Sequence, residues 1–396
     1  MTVEYDPLSA DAMCDPQPLY AQLRAEDPVH YMEQYDVWAL ASFDSVWQVC
    51  SDTESFSVRR GQTPLQILLR EPATNLTFPE LDPPEHRPRR RVFAPSYTRE
   101  AAQDDGEIVR GIAREVLDGV LARGNEFDVF ADYAHVVAGR FAAAKAGIPA
   151  ADADALRVEI SNAFRREPGQ RGTSPSNQEA MFAVFGALHA LVAVSRAEPG
   201  RASGLLATLL AAEIDGEALA DEQIAAELHT LMVTGSDTTE LGVAGTLYYL
   251  ARHPDQRDVV LADPGLSAWA FAETLRFDHP TDILGRCVTR DVVVGGKQLR
   301  EGQGVLLLWG SANRDEAEFP NADEYDIHRR YERSLVFGHG RHKCIGEHIG
   351  IRGGTVMLEE LFASISAFTV DFDDVGRRCG EFLKGYDRVP VTVTVR

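Results

Sequence analysis

Phe337-Gly-His-Gly-Arg-His-Lys-Cys344-Ile-Gly346 places three glycines, two histidines and a single cysteine within ten residues. Two chemistries use such a set. The first is a tetrahedral zinc site, for which His339, His342, Cys344 and His348 have the right donor atoms. Its weakness is spacing: structural zinc sites bring two separated ligand pairs together, and here all four donors crowd one short segment. The second is a thiolate ligand to haem iron, for which one cysteine suffices and the glycines acquire a purpose. Gly338, Gly340 and Gly346 permit a tight turn whose backbone N–H groups point at the sulfur and tune its charge, while Phe337 packs beside the sulfur and keeps water out.

Two stretches upstream bear on the choice. Glu273-Thr-Leu-Arg276 puts a carboxylate and a guanidinium on one helical face. Exposed pairs at this spacing are common and stabilise by only about 0.2–0.5 kcal/mol, so the pair carries no weight alone. Asp221 is a suitable N-cap for a helix running to His253, just before Pro254, which at 1.5 Å per residue is roughly 50 Å long. In its middle, Val233-Thr-Gly-Ser-Asp-Thr-Thr239 gathers polar, glycine and β-branched residues that all weaken helix. A kink with local side-chain hydrogen bonds is the plain reading of that cluster.

Taken together, these segments resemble the cytochrome P450 family. Its haem-binding signature, Phe-x-x-Gly-x-Arg/His-x-Cys-x-Gly, is matched at Phe337, Gly340, His342, Cys344 and Gly346. Its Glu-x-x-Arg is matched at Glu273 and Arg276, with Arg329 as the expected third member of a buried, fold-holding cluster. Its central-helix motif, Ala/Gly-Gly-x-Asp/Glu-Thr-Thr, is matched at Gly235, Asp237, Thr238 and Thr239, with Thr234 departing where Ala or Gly is usual. Tyr20 to Asp36, Trp38, Phe56-Ser57 and Ala312-Asn-Arg-Asp315 extend the likeness to soluble bacterial members, over nearly the whole chain.

The resemblance implies a mainly α fold with small β-sheets, one body spanning residues 1–396, and a long central helix over haem b. Cys344 is then the axial ligand of the iron, with Phe337 and Gly338 beside it. His86, Arg90, Arg286 and His342 neutralise the haem propionates, whose burial unpaired is costly. Reductive cleavage of dioxygen needs protons in a pocket without bulk water, which gives Thr238 the role of hydrogen-bonding the reacting oxygen and Asp237 that of relaying protons. The implied pocket comprises Val233, Thr234, Asp282, Ile283, Leu284, Phe382 and Leu383, a mainly apolar set with Asp282 and Thr234 as polar anchors. The expected activity is insertion of one atom of dioxygen into a hydrophobic small molecule. A peroxide-driven haem-thiolate enzyme and a non-catalytic haem or zinc module are the alternatives.

Composition narrows the rest. With 39 Lys plus Arg against 61 Asp plus Glu, the formal charge is −22, a field that repels phosphate backbones and anionic membranes. Nucleic-acid and membrane partners are not expected. Five scattered cysteines without a CxxC pair argue against a disulfide framework and for a reducing compartment. The acidic, proline-broken N-terminus lacks the features of a secretory signal, so the chain is expected to be cytoplasmic and monomeric. Met181 to Ser195 is shorter than the roughly 20 residues a bilayer requires and is expected to be a buried helix.

From about Ala101 to His253 the apolar spacing is helical, as at Ile108, Ile112, Val116 and Val120 and again at Ile224, Leu228, Leu231 and Met232. Val292–Val294 and Val305–Trp309 are expected to pair as a small hairpin. The turn-rich stretches Gly61–Pro84 and Glu167–Asn177 are candidate lids over the site, with surface loops as the alternative. No flavin-type glycine motif follows the cysteine segment, so electrons are expected from a 2Fe-2S-type ferredoxin with an NAD(P)H-dependent reductase. Arg87, Arg89, Arg90, Arg91, Arg341, Lys343 and Arg352 form its candidate docking patch.

Overall fold

The computed structural model describes residues 3–71 and 76–396. Residues 72–75, within the first candidate lid, lie outside them. The long helix, Asp221–Arg252, spans 32 residues. Its N-cap is Ala220, not Asp221: the Gln223 side chain accepts the Ala220 N–H, while Asp221 pairs with Arg196. Ile224, Leu228, Leu231 and Met232 are all buried along it.

Ser267–Phe277 packs between the long helix and Glu347–Ser364, the helix that follows Cys344. The Phe271 ring sits at the closest approach. A Cβ at Gly354 would lie 2.2 Å from that ring, and one at Gly242 would lie 2.7 Å from it. Glu347–Ser364 in turn lies along Arg99–Leu121, whose buried face is Val109, Ala113, Val116, Leu117 and Val120. Ile108 faces solvent and Ile112 is only partly buried.

Sheet is a minority element. Five strands run in the order Val29–Met32, Val37–Leu40, Gly304–Leu308, Ile283–Val288 and Phe56–Ser57. The expected hairpin is corrected here. Val292–Val294 pairs with Lys297–Leu299 around Gly295-Gly296, both at positive φ, which suits a two-residue turn. Gly304–Leu308 instead lies parallel to Val37–Leu40 and antiparallel to Ile283–Val288. It is buried along its length, as its continuous apolar run befits.

Two further expectations fail. Pro175–Ala197 is apolar but only 28% of its most hydrophobic window is buried, and it passes the length and composition test for a membrane span. Its buried face is Ala180, Val184, Leu188 and Val192; alanines fill much of the other side, and Phe182 is 74% exposed. It is a half-buried surface helix. Cys14 and Cys379, 365 residues apart, form a disulfide. Hydrogen bonds bring the two segments together: Gly380 N–H donates to the Met13 carbonyl and the Arg377 side-chain Nε to that of Cys14. Cys50, Cys287 and Cys344 are free.

Glu273, Arg276 and Arg329 form a buried cluster. Arg276 donates to both Glu273 carboxylate oxygens at 2.7 and 2.8 Å, and to the carbonyls of Asn313, Ala322 and Glu324. Arg329 Nε reaches the same carboxylate at 3.2 Å. One guanidinium therefore ties a helix to the irregular segment leading into the cysteine loop. A second buried carboxylate, Glu227 on the long helix, accepts the Phe78 N–H at 3.1 Å and Arg89 Nη1 at 3.3 Å. Burial pushes its carboxyl up to about 7, against the lowering effect of Arg89 and the Phe78 N–H.

Removing one member of a buried ion cluster strands the others, so Arg276→Ala is expected to lower the unfolding free energy by about 3–5 kcal/mol in urea titrations. Asp374→Ala, at the half-exposed pair with Arg388, should leave the midpoint unmoved. Glu227 holds its proton more tightly folded than unfolded. Its stabilising contribution is complete below the unfolded value of about 4.3 and disappears as pH rises towards 7. The stability difference between wild type and Glu227→Gln, followed by thermal melts, should therefore move against the wild type across that interval.

Candidate active site

The cysteine loop is built on backbone hydrogen bonds. Gly338 N–H donates to the Leu335 carbonyl, Lys343 N–H to that of Gly340, and Cys344 N–H to that of Phe337 at 2.8 Å. Gly340 has φ +71° and lies so near the preceding structure that a Cβ would fall 2.2 Å from the Cys50 carbonyl oxygen. Only glycine fits there. Gly338 also has positive φ, whereas Gly346 does not; its part is to bring its N–H to the Cys344 sulfur at the start of Glu347–Ser364. Burial pushes the thiol up, opposed by the Gly346 N–H, Arg90 and Lys343. A helix N-terminus and these cations favour the thiolate once a metal takes the proton's place.

Above the sulfur lies a cavity between the cysteine loop and the long helix. Phe337, Gly338, Cys344 and Ile345 form one wall, and Val233, Thr234, Thr238 and Thr239 of the long helix face them. One end is cationic. Arg90, Arg286 and His342 line it, and His86 lies behind His342 with ring centroids 4.6 Å apart and planes tilted by 55°. Burial, then neighbouring guanidinium groups, drives His86 down to about 4 and His342 down to about 3. His86 Nε2, His342 Nδ1 and Trp309 Nε1 are buried without hydrogen-bond partners.

Such an end is incomplete without anions. A flat apolar group with carboxylates on one edge, and an atom at its centre that binds sulfur, satisfies every wall. Haem b fits that description. The zinc alternative finds no such support: among the described residues no three His, Cys, Asp or Glu side chains are arranged so as to hold a metal ion, and His339 instead stacks on Trp47 at 3.5 Å.

The remaining candidates divide. Val233, Thr234, Leu284, Phe382 and Leu383 line the cavity, but Asp282 and Ile283 do not. Asp282 is 2% exposed and bound by Lys384 and the Tyr20 hydroxyl, so it is a structural lock and not a substrate anchor. Ile283 is in the core with Val37, Leu306 and Leu308. Strand alternation explains the Ile283 outcome, since Leu284 and Arg286 share the face opposite it. Thr238 lines the cavity, its hydroxyl 3.4 Å from the Thr234 carbonyl. Asp237 does not line it. Its side chain is buried on another face of the helix, 3.9 Å from Arg378, and burial, with Glu240, pushes it up to about 7.

Gln62, Phe78 and Pro79 add to the lining and were not among the sequence candidates. They come from the first candidate lid, whose prolines and broken periodicity were the signal. Glu167–Asn177 contributes nothing to the lining; its Arg171 is tied to Asp6 and Tyr35 at the surface. The basic patch also changes. Arg89 points inward to Glu227 with its side chain 12% exposed, and Arg90 and Arg352 are half-buried, which leaves Arg87, Arg91, Arg341 and Lys343 at the surface.

Comparison with known proteins agrees with this geometry. The family model "Cytochrome P450" matches residues 191–262 and 266–379. Vitamin D(3) 25-hydroxylase of Pseudonocardia autotrophica is 31% identical over 402 residues, covering 100% of this chain and 98% of that protein. Cytochrome P450 130 of Mycobacterium tuberculosis is 30% identical over 409 residues, covering 100% and 99%. Among solved structures, a mutant of P450 EryK in complex with erythromycin B superposes with a TM-score of 0.86 at 28% identity, over 96% of this chain and 97% of that one. With relatives aligned end to end and a thiol facing a cation-edged apolar cavity, the chain belongs to the cytochrome P450 family of haem-b-dependent monooxygenases.

Proposed function

We propose that this protein inserts one atom of dioxygen into a hydrophobic small molecule, by hydroxylation or epoxidation, with electrons from a separate ferredoxin system. The observation that carries the proposal is the free thiol of Cys344 opening into an apolar cavity opposite Thr238. Bound haem b supplies the iron at which dioxygen is reduced and cleaved. The chain's residues have separable tasks. Cys344 ligates the iron, and the Gly346 N–H tempers its charge. Arg90, Arg286 and His342, backed by His86, hold the propionates. Thr238 positions the reacting oxygen by hydrogen bonding, and Asp237 hands on protons.

The substrate region is apolar, with Val233, Leu284, Phe382, Leu383 and Phe78 facing Thr234 and Gln62. This suits a hydrophobic compound carrying one or two polar functions. A bulky substrate of this kind is supported by the relatives, one named a vitamin D(3) 25-hydroxylase and one solved in complex with erythromycin B. Thr234 bonds its own helix through the Thr230 carbonyl at 2.8 Å and presents its methyl group and oxygen to the cavity. A cytoplasmic, monomeric protein agrees with the net charge of −22. The exposed cations nearest the cysteine loop, Arg87, Arg91, Arg341 and Lys343, suit an acidic 2Fe-2S-type ferredoxin.

The reduced carbon monoxide complex of the wild type should show the strongly red-shifted Soret band of thiolate ligation, and Cys344→Ser should abolish it; an identical band in both would refute the assignment. Gly340→Ala should lose haem during gel filtration, because the added Cβ displaces the loop against Cys50. Thr234→Ala should change product ratios or the fraction of reductant recovered in product. Charge reversal at Arg91 and Lys343 should slow reduction by an acidic ferredoxin about tenfold and flatten its salt dependence. The same change at Arg89 should act through stability instead.

A further inference from the structure

Behind the long helix, facing away from the cavity, three separate parts of the chain bring ionisable groups together. Asp237 and Glu240 come from the long helix, His135 from the first turn of His135–Ala146, and Arg378 from the strand Gly376–Arg378. All four are at most 9% exposed. His135 Nδ1 lies 2.7 Å from Glu240 Oε2, and its ring stacks on Phe130. Arg378 stands between the carboxylates without touching either: Nη1 is 3.9 Å from Asp237 Oδ2, and Nη2 is 3.9 Å from Glu240 Oε1. Its Nη2 also donates to Ser161 Oγ at 3.4 Å, and its Nε is 3.8 Å from Asp387 Oδ2.

Asp237 Oδ2, Glu240 Oε1 and Arg378 Nη1 are all buried and lack a hydrogen-bond partner. Separations of 3.9 Å are too long for direct hydrogen bonds. Stranded buried polar atoms are costly, and a bridging water with two to four polar partners removes that cost. The cluster also reaches the surface, since the His135 and Asp387 side chains are 11% and 23% exposed.

We propose that Arg378 and Glu240 hold a buried water against Asp237, and that Glu240 and His135 form the outward arm of the proton path supplying it. The inference rests on the monooxygenase reading above and extends it to residues that do not touch the cavity. When the Asp237 carboxyl gives its proton toward the cavity side of the helix, by rotation about Cα–Cβ, its oxygen regains one from the water. The water takes one from Glu240 as Glu240, which carries none between turnovers, takes the Nδ1 proton of His135; Nε2 of that ring takes a proton from solvent, and exchange with solvent returns the ring to its starting tautomer. Protons balance at each step. Arg378 keeps its charge throughout and prevents both carboxylates from being neutralised permanently. Glu240, His135 and Arg378 are positioning residues; none touches the reacting atoms.

The test uses haem-loaded wild type, Glu240→Gln and His135→Phe. A crystal structure of the wild type should show a water within hydrogen-bond distance of Asp237 Oδ2, Glu240 Oε1 and Arg378 Nη1; an empty site there overturns the proposal. Infrared difference spectra should place the titration of a carboxyl, identified by its loss in Asp237→Asn, at lower pH in Glu240→Gln, because a like charge has been removed. An unmoved titration overturns the coupling. Oxidation of thioanisole, driven by NADPH, ferredoxin and its reductase, should slow about tenfold in both variants, with a changed solvent isotope effect. The same oxidation driven by hydrogen peroxide, which brings its own protons, should stay within about twofold. Equal losses by both routes would mark a packing role, and no loss by either would remove the path. The carbon monoxide band separates the two levels: its absence in the wild type sinks the monooxygenase reading, whereas an intact band with unaltered NADPH-driven rates sinks only the relay.

Discussion

A protein interior packs as densely as an organic crystal, so a hollow that admits a large flat ligand survives only if its two walls are held apart by something rigid. Here that spacer is Ser267–Phe277. Phe271 wedges between Gly242 of the long helix and Gly354 of the helix behind Cys344, and so fixes how closely the walls approach. Two and five residues further along, Glu273 and Arg276 fix the cysteine loop's approach by a different force. Arg276 spends its donors on Glu273 and on three carbonyls of a segment without regular structure. A guanidinium fork suits this task because its donors lie in one plane and do not titrate. Steric contact sets one wall and charge-assisted hydrogen bonding the other, both from eleven residues of helix.

The acidic surface hides an opposite charge pattern within. Arg90, Arg286, His86 and His342 converge on one edge of the cavity, where burial and mutual repulsion hold both histidines neutral until carboxylates arrive. Binding energy for the cofactor is therefore stored partly as cationic groups that are poorly satisfied in its absence. Glu227 works the other way. It is a carboxyl group buried against Arg89 and the Phe78 N–H, and it pins part of the cavity roof to the helix that forms the opposite wall. Consecutive residues of arginine-rich His86–Phe93 thus serve different elements, with Arg89 turned to the long helix, Arg90 to the Lys343 carbonyl and Arg91 to solvent.

The sequence was most legible where chemistry and periodicity coincide. The cysteine decapeptide, the Glu273–Arg276 pair and the long helix were readable because each couples an unusual residue set to a short-range spacing. Ile283 and Leu284 were both assigned to the cavity, although two-residue alternation assigns them opposite faces; the period was available and not applied. Asp282 was misread because its partners, Lys384 and Tyr20, lie 102 and 262 residues away. The Cys14–Cys379 bond and the Arg378 cluster were invisible for the same reason. Alanine misled in Pro175–Ala197, where it stabilises helix without specifying a buried side.

Asp237 and Thr238 are neighbours in sequence, yet on a helix consecutive side chains diverge by about 100°. They cannot both face the same ligand squarely. The long helix is therefore a partition: Thr238 and Thr234 face an apolar cavity, and Asp237 and Glu240, one turn apart, face a charged pocket closed by Arg378. Hydroxyls on the cavity side turn back to backbone carbonyls, which satisfies them without water. Carboxylates on the far side are left with stranded oxygens, which only water or a proton can satisfy. A polar pair in the middle of a helix is thus the means by which a dry chamber touches a wet one without opening to it. The helix-weakening residues that first set Val233–Thr239 apart are the cost of that contact.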